Sequence, residues 1–522
     1  MNLDEFLHNL HYESDKIKPR DWEANWDDAP LPYKLYRGLP VVELSANIPL
    51  HLEQKKNRNS KPNLQEMSHF LKYTFGLTQV SQTHPFADQT EEWTAYRRFA
   101  PSGGALYPTE LYIYLKIEDL PEGIYHYDAA HHRLVCLREG NFDSYLNRAL
   151  GNRCDMSSTF GTVFSSTFFW KNFFKYHNFS YRLQGLDTGF VIGQLLETGR
   201  RMGFETGVYY HFLDRAIHHL LGLSEQEESV YAVIPLSVDP AMNWFTSDET
   251  EEPSNAASLC GELKPLDHQH YVRSKKISEY PMLIKMNEAC MLDSFPTHEQ
   301  MEKEKKEESA HPFHLLPRVD RLSYDFSSAC RNRYSPGMDF VQKPINQQTL
   351  SALLFEAFST FSYRNDLDHA FQKPPYRVSL YCCMYNIKGV PNGSYSYDES
   401  NHALQPIQEG DFRCQLQDGL LADTVNMTQV PLSFTISGHK DHYKNAYGYR
   451  GHRIQHMEAG ILSQHLLLAA SALNMGGHPL LGFDVQSYDD LYKLSEKGKT
   501  SLLQIPLGCF SPHPRLQGSL HG

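Results

Sequence analysis

The chain repeats itself. Gly123-Ile124-Tyr125-His126-Tyr127-Asp128 returns as Gly393-Ser394-Tyr395-Ser396-Tyr397-Asp398, an offset of 270. Leu134, Gly140 and Phe142 return at the same offset as Leu404, Gly410 and Phe412. Asp187 and Gly189 return as Glu458 and Gly460, and Pro235 and Leu236 as Pro506 and Leu507, at an offset of 271. An offset held this far along a chain marks a duplication, and a period this long means two copies of a whole domain. A length of 522 residues also exceeds one ordinary core.

Local patterning describes the repeated unit. Residues 63–75 carry Leu64, Met67, Phe70, Leu71 and Phe75 at helical spacing. Thr109–Leu115, Gly123–Asp128, Leu134–Leu137 and Val230–Leu236 read as strands, with a turn over Asp128–His132. Tyr181–Phe204 reads as a helix, and a second begins near Leu350. Leu462–Leu473 is apolar over more than one face, as expected of a helix buried at an interface. Each half is therefore expected to be α+β, a mainly antiparallel sheet flanked by helices. The charge run Glu299–Glu308 has no apolar face and reads as a solvated linker. The expected organisation is an N-terminal extension over residues 1–60, a first half over 61–295, a linker over 296–311 and a second half over 312–522.

A formal net charge of −13 argues against nucleic-acid partners, and no apolar run reaches the length of a membrane span. The N-terminus lacks the basic and apolar regions of a signal peptide. The nine cysteines are scattered without a CxxC pair, a reduced, cytoplasmic pattern. The histidine pairs His131-His132 and His218-His219 are adjacent, and sequence neighbours do not face one point, so no metal site is expected.

The most informative string is Arg97-Arg98-Phe99-Ala100-Pro101-Ser102-Gly103-Gly104-Ala105-Leu106-Tyr107-Pro108 before the Thr109 strand. Ser102 offers a short hydroxyl, and Gly103 and Gly104 allow close approach of the backbone to a flat or anionic group. A Ser-Gly-Gly turn before a strand is equally compatible with a structural role. The whole string resembles the signature of the flavin-dependent nitroreductase superfamily. Within it the string is most similar to the azoline dehydrogenases of thiazole/oxazole-modified peptide biosynthesis, the branch of the streptolysin S and microcin B17 dehydrogenases. His11–Lys16 and Pro32–Tyr36 resemble the N-terminal region of the same enzymes.

The resemblance implies two tandem nitroreductase-like domains forming an intramolecular pseudo-dimer, with FMN as cofactor between them. It places Ser102, Gly103 and Gly104 against the flavin ring, with Arg97 and Arg98 reaching the flavin or an acidic leader peptide, or serving structurally. In the second half, Arg331, Arg333 and Ser335 of Cys330–Ser335 resemble the family's phosphate clamp, Arg515 its C-terminal basic residue, and Gly482-Phe483 the loop over the ring. A bidentate guanidinium suits phosphate oxygens, although the same arginines can make surface ion pairs. At the mirror positions the second half has Gln372-Lys373-Pro374 in place of the glycines. The first half has no arginine near Ile48 and Leu50, with Lys55, Lys56 and Arg58 close by. One half thus supplies the ring loop and the other the clamp, which implies a single composite FMN site.

Lys175-Tyr176 matches the family's Lys-Tyr pair near the substrate. A lysine among Phe173, Phe174, Tyr176 and Phe179 is desolvated, which lowers its pKa toward that of a working base. The alternative is a snorkelling Lys175 and a core Tyr176. The aligned second-half residues are Tyr443-Lys444, in reversed order. The function implied is FMN-dependent oxidation of thiazoline or oxazoline rings in a ribosomal precursor peptide, electrons passing to oxygen, alongside a cyclodehydratase partner. The other readings are an NAD(P)H-dependent nitro or quinone reductase and a non-catalytic scaffold of the heterocycle synthetase.

Overall fold

The computed structural model describes residues 1–52, 58, 60–83, 93–246, 254–295, 313–368, 376–511 and 516–520. The expected linker over 296–311, the Gln372–Pro374 loop, Lys55, Lys56 and Arg515 lie outside the described residues.

Two seven-stranded sheets carry the fold, and their strand orders correspond one to one. The first runs Val41–Glu43, Arg133–Glu139, Gly123–Asp128, Thr109–Leu115, Gly161–Phe168, Glu228–Ser237, Glu205–Thr206. The second runs His314–Leu315, Ala403–Glu409, Gly393–Asp398, Val378–Met384, Leu432–His439, Lys499–Gly508, Gly476–Gly477. Neighbouring strands in both are antiparallel. Each predicted strand and helix is present, with ends moved by a few residues, and the second long helix begins already at Arg450.

The duplication reaches single hydrogen bonds. A bulge falls between Ile124 and Tyr125 in one hairpin and between Ser394 and Tyr395 in the other. Tyr127 Oη meets His132 Nδ1 at 2.8 Å, and Tyr397 Oη meets His402 Nδ1 at 2.8 Å. The far nitrogens of those histidines meet Ser68 and Ser351, on the helices Leu64–Phe75 and Gln347–Phe361. Both helices start from an asparagine cap, Asn63 and Asn346.

The halves are joined by their long helices, Ser180–Met202 and Arg450–Ala472, which are buried along almost their whole length. They cross at the duplicated glycines. A Cβ on Gly189 would stand 2.1 Å from Met457 O, and one on Gly460 would stand 2.3 Å from Leu186 O. Only glycine allows main chain to pack on main chain this closely. A third sheet also crosses the junction: Leu516–Ser519 from the chain's end pairs with Gln79–Thr83, which pairs with Trp93–Arg97.

Candidate functional site

The Ser-Gly-Gly loop is fixed from both ends. Arg98 is buried, its guanidinium donating to Phe75 O at 2.6 Å and Pro32 O at 2.8 Å and lying 3.7 Å from the centre of the Phe75 ring. Its head is thus turned to the main chain and anchors the loop entry. Further on, Ser102 Oγ donates to Asp187 Oδ2 at 2.5 Å and Gly103 N–H to Asp187 Oδ1 at 3.1 Å. Ser102 Oγ also accepts from Tyr107 N–H at 2.9 Å. Gly104, Ala105 and Tyr107 all adopt positive φ, of 64°, 57° and 49°. Two non-glycine residues held there store strain, which the Asp187 and Arg98 anchors hold in place.

Asp187 sits inside the first long helix, 3% exposed. Burial pushes its carboxyl up to about 7, against the two donors that favour the anion. Sequence reasoning used Asp187 only as a marker of the repeat. Its signal was a carboxylate in the middle of a buried helix, which requires a partner, but that partner is remote in sequence.

The loop meets the Lys-Tyr pair. The helix Trp170–Tyr176 carries Lys175 and Tyr176 against Gly104, where an added Cβ would stand 2.6 Å from Tyr176 Oη and 2.9 Å from Lys175 Nζ. Burial lowers the pKa of Lys175 and raises that of Tyr176, the latter with a contribution from Asp187. Lys175 Nζ lies 5.3 Å from the Trp26 ring centre and 4.9 Å from that of Tyr176. The N-terminal segment therefore forms a wall of the site. Ile17 O accepts from Asn178 Nδ2 and meets His177 Nδ1, and Trp22 Nε1 donates to Phe174 O at 3.2 Å.

Arginines of both halves gather beside the loop entry. A cleft of about 170 Å³ is lined by Gln79, Arg97 and Phe99 of the first half and by Cys330 and Arg331 of the second, with Ser519 at its edge. Arg97 donates to Gln79 Oε1 at 3.0 Å and to the Arg333 carbonyl. Arg333 is buried and donates to Phe99 O at 2.7 Å, Arg98 O at 3.3 Å and Ser335 Oγ at 3.4 Å. Burial, with Arg97 close by, pulls its pKa down to about 9. Arg331 donates to Leu50 O at 2.9 Å and Ser328 Oγ at 3.2 Å. Among the described residues neither Arg331 nor Arg333 has a carboxylate partner. Clustered guanidiniums of this kind suit a phosphate-bearing group.

Gly482 and Phe483 are held within the second half: Gly482 O accepts from Leu421 N–H, and the Phe483 ring lies 4.6 Å from that of Tyr488.

The mirror position is filled. Glu458, the counterpart of Asp187, binds no glycine loop but is bonded by Arg377 through Nε at 2.8 Å and Nη2 at 2.5 Å and by Tyr363 Oη at 3.1 Å. Arg377 also holds Asp368 at 2.7 Å. Asp366 accepts from Tyr210 and His211 N–H, tying the two halves together at this point. Lys444 faces outward, paired with Asp4 and Tyr449.

The comparisons with known proteins agree with this architecture. A Methanocaldococcus jannaschii protein named for the nitroreductases is 24% identical over 170 residues, 33% of this chain and 84% of its own. A crystal structure from Anabaena variabilis, likewise named for the nitroreductases, covers 98% of this chain and 99% of its own at 19% identity, with a TM-score of 0.72. It therefore shares the whole two-domain fold. A chain of the E. coli microcin synthetase McbBCD, in complex with truncated pro-MccB17, covers 38% of this chain and 67% of its own at 19% identity. Its TM-score of 0.28 is too low to relate the two proteins' functions. The sequence model of the nitroreductase family matches residues 59–236 and again 331–509. The chain belongs to the nitroreductase family, as a tandem pair of its domains.

Proposed function

We propose that the chain is an FMN-dependent dehydrogenase that oxidises thiazoline or oxazoline rings of a ribosomal precursor peptide to thiazoles or oxazoles, with electrons passing to oxygen. The observation that carries this reading is the placement of Lys175 Nζ and Tyr176 Oη over the bare face of Gly104, where a Cβ would stand 2.9 and 2.6 Å from them. It unites a loop suited to a flat ring with a desolvated amine suited to proton abstraction.

The residues present fit FMN. Gly104 presents main chain without a side chain, and a Cβ there would occupy the space before the Lys-Tyr pair, while Gly103 packs its bare face on Leu183. Arg97, Arg331 and Arg333 would hold the phosphate, with Ser335 beside them and Arg515 as a further candidate. When bound, FMN supplies a ring that accepts the hydride. Azoline oxidation also removes a proton from the adjacent carbon. Lys175, its pKa lowered by burial, is the base. Tyr176 keeps its proton, because burial raises its pKa, and so orients the heterocycle through a hydroxyl donor. Trp26 of the N-terminal segment lies beside the amine. A cyclodehydratase acting earlier on the same peptide would supply the substrate.

The test is a synthetic peptide bearing one thiazoline, incubated with the reconstituted protein in air. Loss of two hydrogens by mass spectrometry, abolished in Lys175→Ala, supports the reading. Turnover of NAD(P)H with a nitroarene or quinone and none of the azoline would make it a reductase. The heads of Arg98 and Arg333 are satisfied by main-chain carbonyls, which favours a scaffold instead, and a protein that takes up no FMN would establish that.

A further inference from the structure

Outside this site three histidines converge. His11 ends the N-terminal helix Leu3–Tyr12, and His452 and His456 lie one turn apart on the second long helix. A ring nitrogen from each lies within 4.8 Å of the other two. His452 and His456 are 2% and 1% exposed. We infer that His11, His452 and His456 form a binding site for a divalent transition-metal ion of the zinc class, pinning the N-terminal helix to the domain junction.

The nitrogens are unclaimed. His11 Nδ1, both nitrogens of His452 and His456 Nε2 are buried with no hydrogen-bond partner. Buried polar atoms left without a partner are costly, and a shared cation would satisfy all three rings. His456 Nδ1 meets its own helix at His452 O, 2.8 Å away. That bond fixes the proton on Nδ1 and leaves the Nε2 lone pair free, the arrangement usual for a metal-binding imidazole.

Three imidazoles without a carboxylate select zinc-class ions over calcium or magnesium. Tetrahedral ligation at Zn–N distances of about 2.0–2.1 Å brings nitrogens to about 3.4 Å of one another, which requires the His452 and His456 rings, stacked 4.1 Å apart, to turn their nitrogens toward one point. The fourth position falls to water. Arg182 faces the cluster but is engaged with Leu10 O and Leu502 O, both at 3.2 Å. Its charge makes the site weaker than a thiolate one.

The helix so pinned leads into the segment that carries Ile17, Trp22 and Trp26 to the Lys175 helix. The ion would therefore fix one wall of the candidate site without touching it. The adjacent pairs His131-His132 and His218-His219 take no part. His131 and His132 meet Asp128 and Tyr127, and His218 and His219 meet Val230 N–H and Leu263 O.

The experiment uses the untagged full-length chain, stripped with a chelator and equilibrated with Zn²⁺, with bound metal counted by mass spectrometry of the elements. The expected result is one Zn²⁺ per chain, with affinity lowered roughly tenfold to a hundredfold or more in His11→Ala, His452→Ala and His456→Ala and retained in His131→Ala. Zn²⁺ should also change the tryptophan fluorescence in the wild type and not in His11→Ala. Absence of bound Zn²⁺, or its retention in His11→Ala, overturns the proposal. His11 decides alone if a long-helix variant fails to fold, because it lies outside the family-matched domains. The count is independent of flavin loading.

Discussion

Asp187 accepts a hydrogen bond from the hydroxyl of Ser102 and another from the amide of Gly103, so one carboxylate holds the loop at both residues. In the fold its carboxyl titrates near 7, against an ordinary value of 3.8. Between those values the folded protein binds a proton that the unfolded chain has lost. This group's contribution to stability is therefore full below the lower value, falls as pH rises toward 7 and is constant above it. Asp187→Asn, which cannot ionise, should gain stability relative to the wild type between pH 5 and pH 8. The gain is on the order of a few kcal/mol at most, read by denaturant unfolding at both pH values. Asparagine has one acceptor oxygen for two donors, so the same variant should bind FMN more weakly.

Gly104→Ala should leave the fold intact and disable the site. Its Cβ would collide with Tyr176 Oη and Lys175 Nζ, the tips of side chains that can swing away. The left-handed φ adds about 1 kcal/mol for a non-glycine residue. Melting should shift by a few degrees at most while turnover of a thiazoline peptide falls at least about tenfold, the cost of a misplaced base.

As the proposed base Lys175 would act as a free amine, so turnover should rise with pH through a midpoint below 10.5, because burial lowers its pKa. Lys175→Arg stays protonated at every working pH. It should retain FMN, shown by the visible spectrum, and lose roughly 10²–10⁴-fold in turnover.

Gly189→Ala should separate the long helices. The new methyl meets Met457 O at 2.1 Å, an atom of the main chain that cannot rotate away. Overpacking costs about 1–3 kcal/mol even where side chains adjust. Gly199→Ala is the control: its nearest atom would be Thr206 Cγ2 at 3.5 Å, and it should be neutral or slightly stabilising. Thermal melts of the two variants should differ in direction.

The duplication was legible because the hairpin built on Tyr125 and Tyr127 needs the same residues in both copies, and Tyr395 and Tyr397 supply them. The loop and the Lys-Tyr pair were legible as strings. The contacts that make a site of them were not: Asp187 reaches Ser102 through folding alone, and His11 meets His456 across nearly the whole chain. Nor does sequence give a side chain's direction. Arg98 and Arg97 are neighbours, yet the guanidinium of one turns to the carbonyls of Phe75 and Pro32 and that of the other to Gln79 and the Arg333 carbonyl of the second half. The N-terminal segment had no readable role, because its contribution is a surface laid on Lys175 and not a pattern of its own.

The most direct test of the account is the number of FMN molecules released per chain after reconstitution and denaturation. The prediction is one, lost in the double variant Arg331→Ala/Arg333→Ala and unchanged in Arg377→Ala, whose arginine fills the mirror position with Glu458. Two per chain would show that both interfaces accept flavin, and none would leave the duplicated domains without the cofactor on which the proposed chemistry depends.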